Sequence, residues 1–268
     1  MQDSGAFWAR KRRLFEKAWK AFRQEAAGST RELAAVLRQI DVAARAVRDR
    51  RLARGAEKVR RRISKLEALQ TQRELLSRVR HLGLLATEAA TGLEARWEER
   101  AREKGERALH RTRGQPMRRL RRALERRENV GENGLARRLE RACRRRLRRL
   151  EAPTSEAADD ELSRYRAALR AARDLARQLP EADPARPKPA ERESRIGDAF
   201  DRWHDLRSFR KTLARERRRC ERRGTVTLAF ELDRLIAALD RALERARREA
   251  LRAARTPSNV VSFSRASA

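Results

Sequence analysis

The sequence predicts an all-α protein built as a helical bundle. Three observations predict it. Ala, Leu, Arg and Glu dominate the composition, and all four are good helix formers. Gly (11) and Pro (7) are scarce, so turn and strand punctuation is thin. Apolar residues recur every three to four positions, and no stretch alternates with the period of two that a half-buried strand needs.

Each element follows from that spacing. Phe7/Trp8, Leu14/Phe15, Ala18/Trp19 and Phe22 fall on one face of a first helix, which Gly28 breaks. Ser29-Thr30-Arg31-Glu32 has capping-box spacing and is expected to start a second helix, striped by Leu33, Val36, Leu37, Ile40, Ala44 and Val47. Gly55 is expected to weaken or end it. Val59, Ile63, Leu66, Leu69, Leu76 and Val79 mark a third helix, ending near Gly83. A fourth runs through Leu85, Leu93 and Trp97 to about Arg111, and Gly114-Gln115-Pro116 breaks it. A short basic helix (118–127) and a Gly/Asn-rich turn (128–134) follow. Leu135, Leu139, Cys143, Leu147 and Leu150 stripe the next helix, and Pro153-Thr154-Ser155 is expected to break and cap. Leu162, Tyr165, Leu169, Ala172, Leu175 and Leu179 mark another. Residues 180–189 hold four prolines and read as a linker. Ile196, Phe200, Trp203, Leu206, Phe209 and Leu213 stripe a long helix ended by Gly224, and Leu228 to Leu251 stripe the last. Short loops imply mostly antiparallel neighbours.

Charge is the strongest functional signal. The formal net charge is +31, and of 70 basic residues 62 are Arg and 8 Lys, against 39 Asp and Glu. Such a surplus repels itself in any compact state and points to a polyanionic partner. Guanidinium is planar, always charged and matched to two phosphate oxygens, so the expected ligand presents many phosphates. Hydrophobic content of 40% excludes a disordered basic tail. No apolar run approaches the ~18 residues that span a bilayer, and the N-terminus lacks the apolar core of a signal peptide. With Cys143 and Cys220 far apart in basic helical stretches, the chain reads as cytoplasmic and a structural disulfide is not expected. Three scattered histidines and two cysteines have no metal-ligand spacing, so no metal or cofactor is expected. Phosphate-loop, nucleophile-elbow and HExxH motifs are absent, which argues against an enzyme.

Basic residues recur on helix faces rather than in one tail. Arg60-Arg61-Arg62, Arg118-Arg119, Arg144-Arg145-Arg146 and Arg217-Arg218-Arg219 are the densest runs. Arg166, Arg170 and Arg173 share one helix face, with guanidiniums stepping about 5–6 Å. Any single cluster is explained as a solvated face with internal partners; the set is not, because acids are too few.

One segment carries a family resemblance. Leu162-Ser163-Arg164-Tyr165-Arg166, Arg170 and Arg173 precede Ile196-Gly197 and Trp203-His204-Asp205-Leu206. This resembles the second half of a CHAD domain, the conserved-histidine α-helical domain. Val47 with Arg50-Arg51-Leu52, and Arg73-Glu74-Leu75, resemble its first half. Ser163 and Ala43 stand where the family places histidines, and His110-Arg111 offers a rival register for the first half. The resemblance implies two pseudo-symmetric four-helix halves with a basic channel between or across them, and binding of inorganic polyphosphate. The two halves fall over 29–152 and 153–256, after the N-terminal amphipathic helix that its apolar stripe places at 1–28 and before a Ser-rich, loose tail over 257–268. The resemblance also implies a polyanion site drawn from Arg50, Arg51, Arg73, Arg166, Arg170, Arg173, His204, Arg207, Arg210 and Lys211. His204 beside Trp203 and Asp205 reads equally as an anion donor or a structural hydrogen-bonding group. His81 reads as a helix C-terminal residue complementing the dipole.

Two other partners compete. A protein this basic binds DNA or RNA non-specifically at low salt, although so few aromatics leave little for base stacking. Alternatively the first helix, basic with tryptophans, docks on anionic lipid or a polyhydroxyalkanoate granule, or simply packs its apolar stripe into the bundle.

Overall fold

Apolar spacing becomes helix throughout. The computed structural model describes residues 4–25, 28–130, 134–179 and 191–255. Among these the chain forms nine α-helices and no strand: α1 Ser4–Arg23, α2 Ser29–Ala46, α3 Arg50–His81, α4 Thr87–Thr112, α5 Gln115–Val130, α6 Leu135–Arg148, α7 Asp159–Ala176, α8 Glu191–Arg222 and α9 Val226–Arg255. The all-α expectation holds. The prolines of 180–189 and the tail from 257 lie outside the described residues.

Three local expectations fail, the first two for a packing reason. Ser29 does not cap α2. Gly28 holds the cap position in the left-handed region (φ 75°), with no side-chain cap. Ser29 and Thr30 turn inward and are buried, and Thr30 accepts a hydrogen bond from Gln70 of α3 (3.2 Å). Gly55 ends nothing, because it sits inside α3 facing Leu120 of α5. The chain instead turns at Arg48, and the Asp49 carboxylate caps α3 by accepting from the Arg51 and Leu52 amides (3.1 and 2.9 Å). Pro153-Thr154-Ser155 breaks the chain but caps nothing; α7 follows Ala158 at its cap position with no side-chain cap.

The apolar stripes meet in two clusters. The larger joins α1–α5 with α6, the end of α7 and the inner faces of α8 and α9, through residues such as Trp8, Phe15, Leu37, Ile63, Trp97 and Phe209. The smaller gathers Leu162 and Leu169 of α7, Ile196, Phe200 and Trp203 of α8, and Ala246, Ala250 and Leu251 of α9. Leu206 packs against both. The larger cluster therefore runs across residue 152 without a break. Each fully buried large side chain contributes about 1.5–3 kcal/mol by leaving water.

The first helix is structural. Phe7, Trp8, Phe15, Trp19 and Phe22 all point into the core, so no apolar face of α1 remains to meet a lipid or granule surface. Within the described residues no helix is long and apolar enough to cross a membrane. Cys143 and Cys220 are buried and share no disulfide.

Candidate functional site

Two antiparallel hairpins build the site. Arg31–Glu74 (2.7 Å) and Arg38–Glu67 (3.0 Å) tie α2 to α3. Arg166–Asp201 (2.6 Å) and Arg207–Asp159 (2.7 Å) tie α7 to α8. In both pairs of bridges the residue number rises on one helix as it falls on the other, which fixes the antiparallel sense. The hairpins then meet, α2 against α7 and α3 against α8, and Gln72 of α3 donates to Ser208 of α8 (3.4 Å).

At this joint lies a groove of about 640 Å³. Arg31 and Arg38 enter it from α2, Arg78 from α3, Arg166 and Arg170 from α7, and His204 from α8. Four carboxylates, Glu67, Glu74, Asp201 and Asp205, also line it. Three of them hold Arg38, Arg31 and Arg166 in place. Arg78 and Arg170 make no ion pair among the described residues. His204 is the one aromatic ring among the described lining residues.

Crowded cations set the electrostatics. Burial, then the nearby Arg170, lowers the proton affinity of Arg38, which Glu67 partly restores. His204 is pushed down to about 4, first by burial and then by Arg166, so its imidazole is neutral at pH 7. Its buried Nδ1 has no hydrogen-bond partner. Burial raises Asp205, with Asp201 adding to it against Arg166, Arg170 and Arg31. Behind the groove, Asp174 of α7 is 8% exposed and also raised by burial, and Lys11 of α1 is 7% exposed and lowered to about 8. Lys11 donates to Gln39 (2.9 Å) and sits over the Phe7 ring (5.3 Å).

The structure brings together only part of the sequence-derived set. Arg166, Arg170 and His204 line the groove; Glu74 and Asp205, the acids of the two resembling repeats, face it from α3 and α8. Arg173 instead crosses over α8 with its side chain 13% exposed. It pairs with Asp198 (3.5 Å) and occupies the space above Gly197, where an added Cβ would lie 1.8 Å from its Nη1. Arg207 stacks on Trp203 (5.6 Å) and holds the start of α7 through Asp159. Arg210 forks onto Asp240 of α9 (2.8 and 3.1 Å). Arg73 ties α3 to α4 through Glu98 (3.1 Å). Lys211 is exposed on α8 and Arg50 at the start of α3, both outside the groove, and Arg51 lines a different cleft.

Neither rival histidine position reaches the groove: Ala43 is fully buried and His110 is exposed near the end of α4. Ser163 donates to the Asp159 carbonyl (2.7 Å). His81 is exposed with its Nδ1 2.6 Å from the Ser77 carbonyl, which fits its helix-terminal reading. Sequence reasoning missed Arg31, Arg38 and Arg78. The seven-residue spacing of the first two marks a shared face of α2, but nothing local shows that this face meets α7.

Comparison with known proteins supports the fold. The chain is similar in structure to PptA from Streptomyces chartreusis, with a TM-score of 0.66 and 16% sequence identity over 94% of this chain and 99% of that one. At that identity the likeness is one of helical architecture. No protein-family model matches the chain, and no curated protein does.

Proposed function

We propose that this chain binds inorganic polyphosphate, or a closely related phosphate polymer, non-enzymatically in the groove between the α2–α3 and α7–α8 hairpins. The observation that carries the reading is the convergence of five guanidiniums from three helices on one groove, two of them without an ion-pair partner among the described residues. Carboxylates paired with the other three hold them in register. A phosphate chain takes the carboxylates' place, offering the same two-oxygen geometry at higher charge density. The resemblance to CHAD domains points to the same ligand.

A nucleic-acid reading is less well supported. Single-strand binding relies on bases stacked upon aromatic rings. Here Trp8, Trp97 and Trp203 are fully buried, and the groove offers no Phe, Tyr or Trp among its described lining residues, only the His204 imidazole.

Competition at near-physiological salt tests the proposal, with long-chain polyphosphate, duplex DNA and anionic vesicles compared at equal phosphate. Polyphosphate is expected to displace both others. Arg78→Glu with Arg170→Glu is expected to weaken binding with helicity unchanged, since neither residue closes an ion pair among the described residues. DNA winning the competition, or the double variant binding as the parent does, overturns the proposal.

A further inference from the structure

A second cleft, away from the groove, gathers more uncompensated charge than the groove does. It lies between the first half of α3 and α5 and measures about 770 Å³. Arg51, Arg54 and Lys58 line it from α3; Arg119, Arg122 and Arg126 line it from α5. Both rows have the spacing i, i+3, i+7, which places three cations along one face over roughly 10 Å of helix. The rows flank a closed floor: Gly55 of α3 faces Leu120 of α5, and even an added Cβ would stand 3.5 Å from Leu120 Cδ1.

What distinguishes this cleft is how little counter-charge is built into it: Asp49 is the one described carboxylate in its lining, and it pairs with Arg127. None of the six cations makes an ion pair among the described residues, whereas three of the groove's five arginines do. Its one carboxylate, Asp49, is already committed, accepting from Arg127 (2.5 Å) and from two amides at the start of α3. Those contacts hold Asp49 below the usual carboxylate range despite its burial. The neighbouring acids of α5 are turned the other way: Glu125 and Glu128 bridge to Arg12 of α1 (3.9 and 2.8 Å). Six like charges side by side repel one another, and a polyanion that displaces their diffuse counter-ions relieves that repulsion.

We infer that this α3–α5 cleft is a separate anion site whose occupant is a short linear run of linked phosphates. Two rows of three cations within about two helical turns suit closely spaced phosphates. A duplex presents one phosphate per ~3.4 Å of axis on each strand, with the strands held apart, and so meets fewer of the six at once. Small residues on the floor (Gly55, Ala123) leave room for the chain itself. The inference concerns a different surface from the groove and stands without it.

Arginine footprinting of the full chain tests it, with inorganic tripolyphosphate as probe at near-physiological salt and phenylglyoxal modification read by mass spectrometry. Tripolyphosphate is expected to protect Arg51, Arg54, Arg119, Arg122 and Arg126. Arg119→Glu with Arg122→Glu is expected to abolish protection of Arg51 and Arg54, and to lower by about two the slope of log affinity against log salt. The groove variant, Arg78→Glu with Arg170→Glu, is expected to leave the cleft footprint unchanged, which separates failure here from failure of the groove. Arg54→Ala with Lys58→Ala, on the opposite wall, is expected to abolish protection of Arg119 and Arg122, and replaces the first variant should that one lose helicity. The inference is overturned if the five arginines stay reactive while tripolyphosphate is bound. Displacement of tripolyphosphate by an oligoglutamate peptide at equal charge also overturns it, by showing an acidic-peptide site instead.

Discussion

Replacing Gly197 by Ala tests how α7 is locked to α8. In an exposed helix interior Gly→Ala stabilises by about 1 kcal/mol through backbone entropy. Here the new Cβ would fall 1.8 Å from Arg173 Nη1 and 2.7 Å from its Cζ, so the guanidinium must leave. That side chain is 13% exposed and reaches Asp198 at 3.5 Å. Expelling a charged hydrogen-bonding group from its partners costs about 1.5–3 kcal/mol. The cost exceeds the gain, and Gly197→Ala is expected to destabilise by about 0.5–2 kcal/mol. In an Arg173→Ala background nothing remains to expel, and the same substitution is expected to stabilise by up to about 1 kcal/mol. Urea unfolding of the four proteins, followed by circular dichroism, gives the sign in each background. A Gly197→Ala effect equal in both would refute the reasoning, because the two positions would then be uncoupled.

Three further predictions rest on buried charge. Glu216 of α8 is almost fully buried, paired with Arg100 of α4 and with Arg219 (2.8 Å); Glu216→Ala is expected to cost about 3 kcal/mol in chemical denaturation, the lower end for a broken buried pair because both arginines reach solvent. Lys11 titrates near 8 in the folded protein against 10.5 in an unfolded chain, so the unfolded state binds the extra proton between those values. Stability is expected to rise by up to about 3 kcal/mol as pH climbs from 8 to 10.5, and Lys11→Met to flatten that rise in denaturation curves taken across the window. His204 is held near 4 against 6.5 unfolded, so stability is expected to fall as pH drops from 6.5 towards 4. An anion in the groove raises His204 again, so polyphosphate binding near pH 5.5 is expected to take up protons. Calorimetry in buffers of differing ionisation enthalpy reads this uptake, which His204→Gln should reduce.

Most helices were legible because apolar spacing and chain breakers act locally. The stripes from Phe7 to Phe22 and from Ile196 to Leu213 lie buried as expected, and the turns after α3, α4 and α8 fall at Gly83, Gly114 and Gly224. What misled was chemistry with two uses. Ser29 and Thr30 have the makings of a cap but pack inward, because Gln70 and the core claim them. Gly55 reads as a break only until α5 is seen lying against it. The arginines are the sharper case. A guanidinium that binds phosphate bidentately grips a carboxylate equally well. Arg73, Arg173, Arg207 and Arg210 therefore serve as ties between helices, which no count of charges reveals. Arg31, Arg38 and Arg78 join the groove only through the meeting of two hairpins far apart in sequence. The dense basic runs near Arg60 and Arg118 gave no sign of the α3 and α5 rows, and their facing one another is a tertiary fact.

The length of α8 has a mechanical consequence. Its 32 residues plant Ile196, Phe200 and Trp203 in one apolar cluster and Phe209, Leu213 and Cys220 in the other. A single stiff axle thus runs through both, with the groove at its midpoint. Neither end can loosen without tugging the other, so the chain should melt as one body, and a fragment cut at residue 152 would strand half of a shared shaft in water.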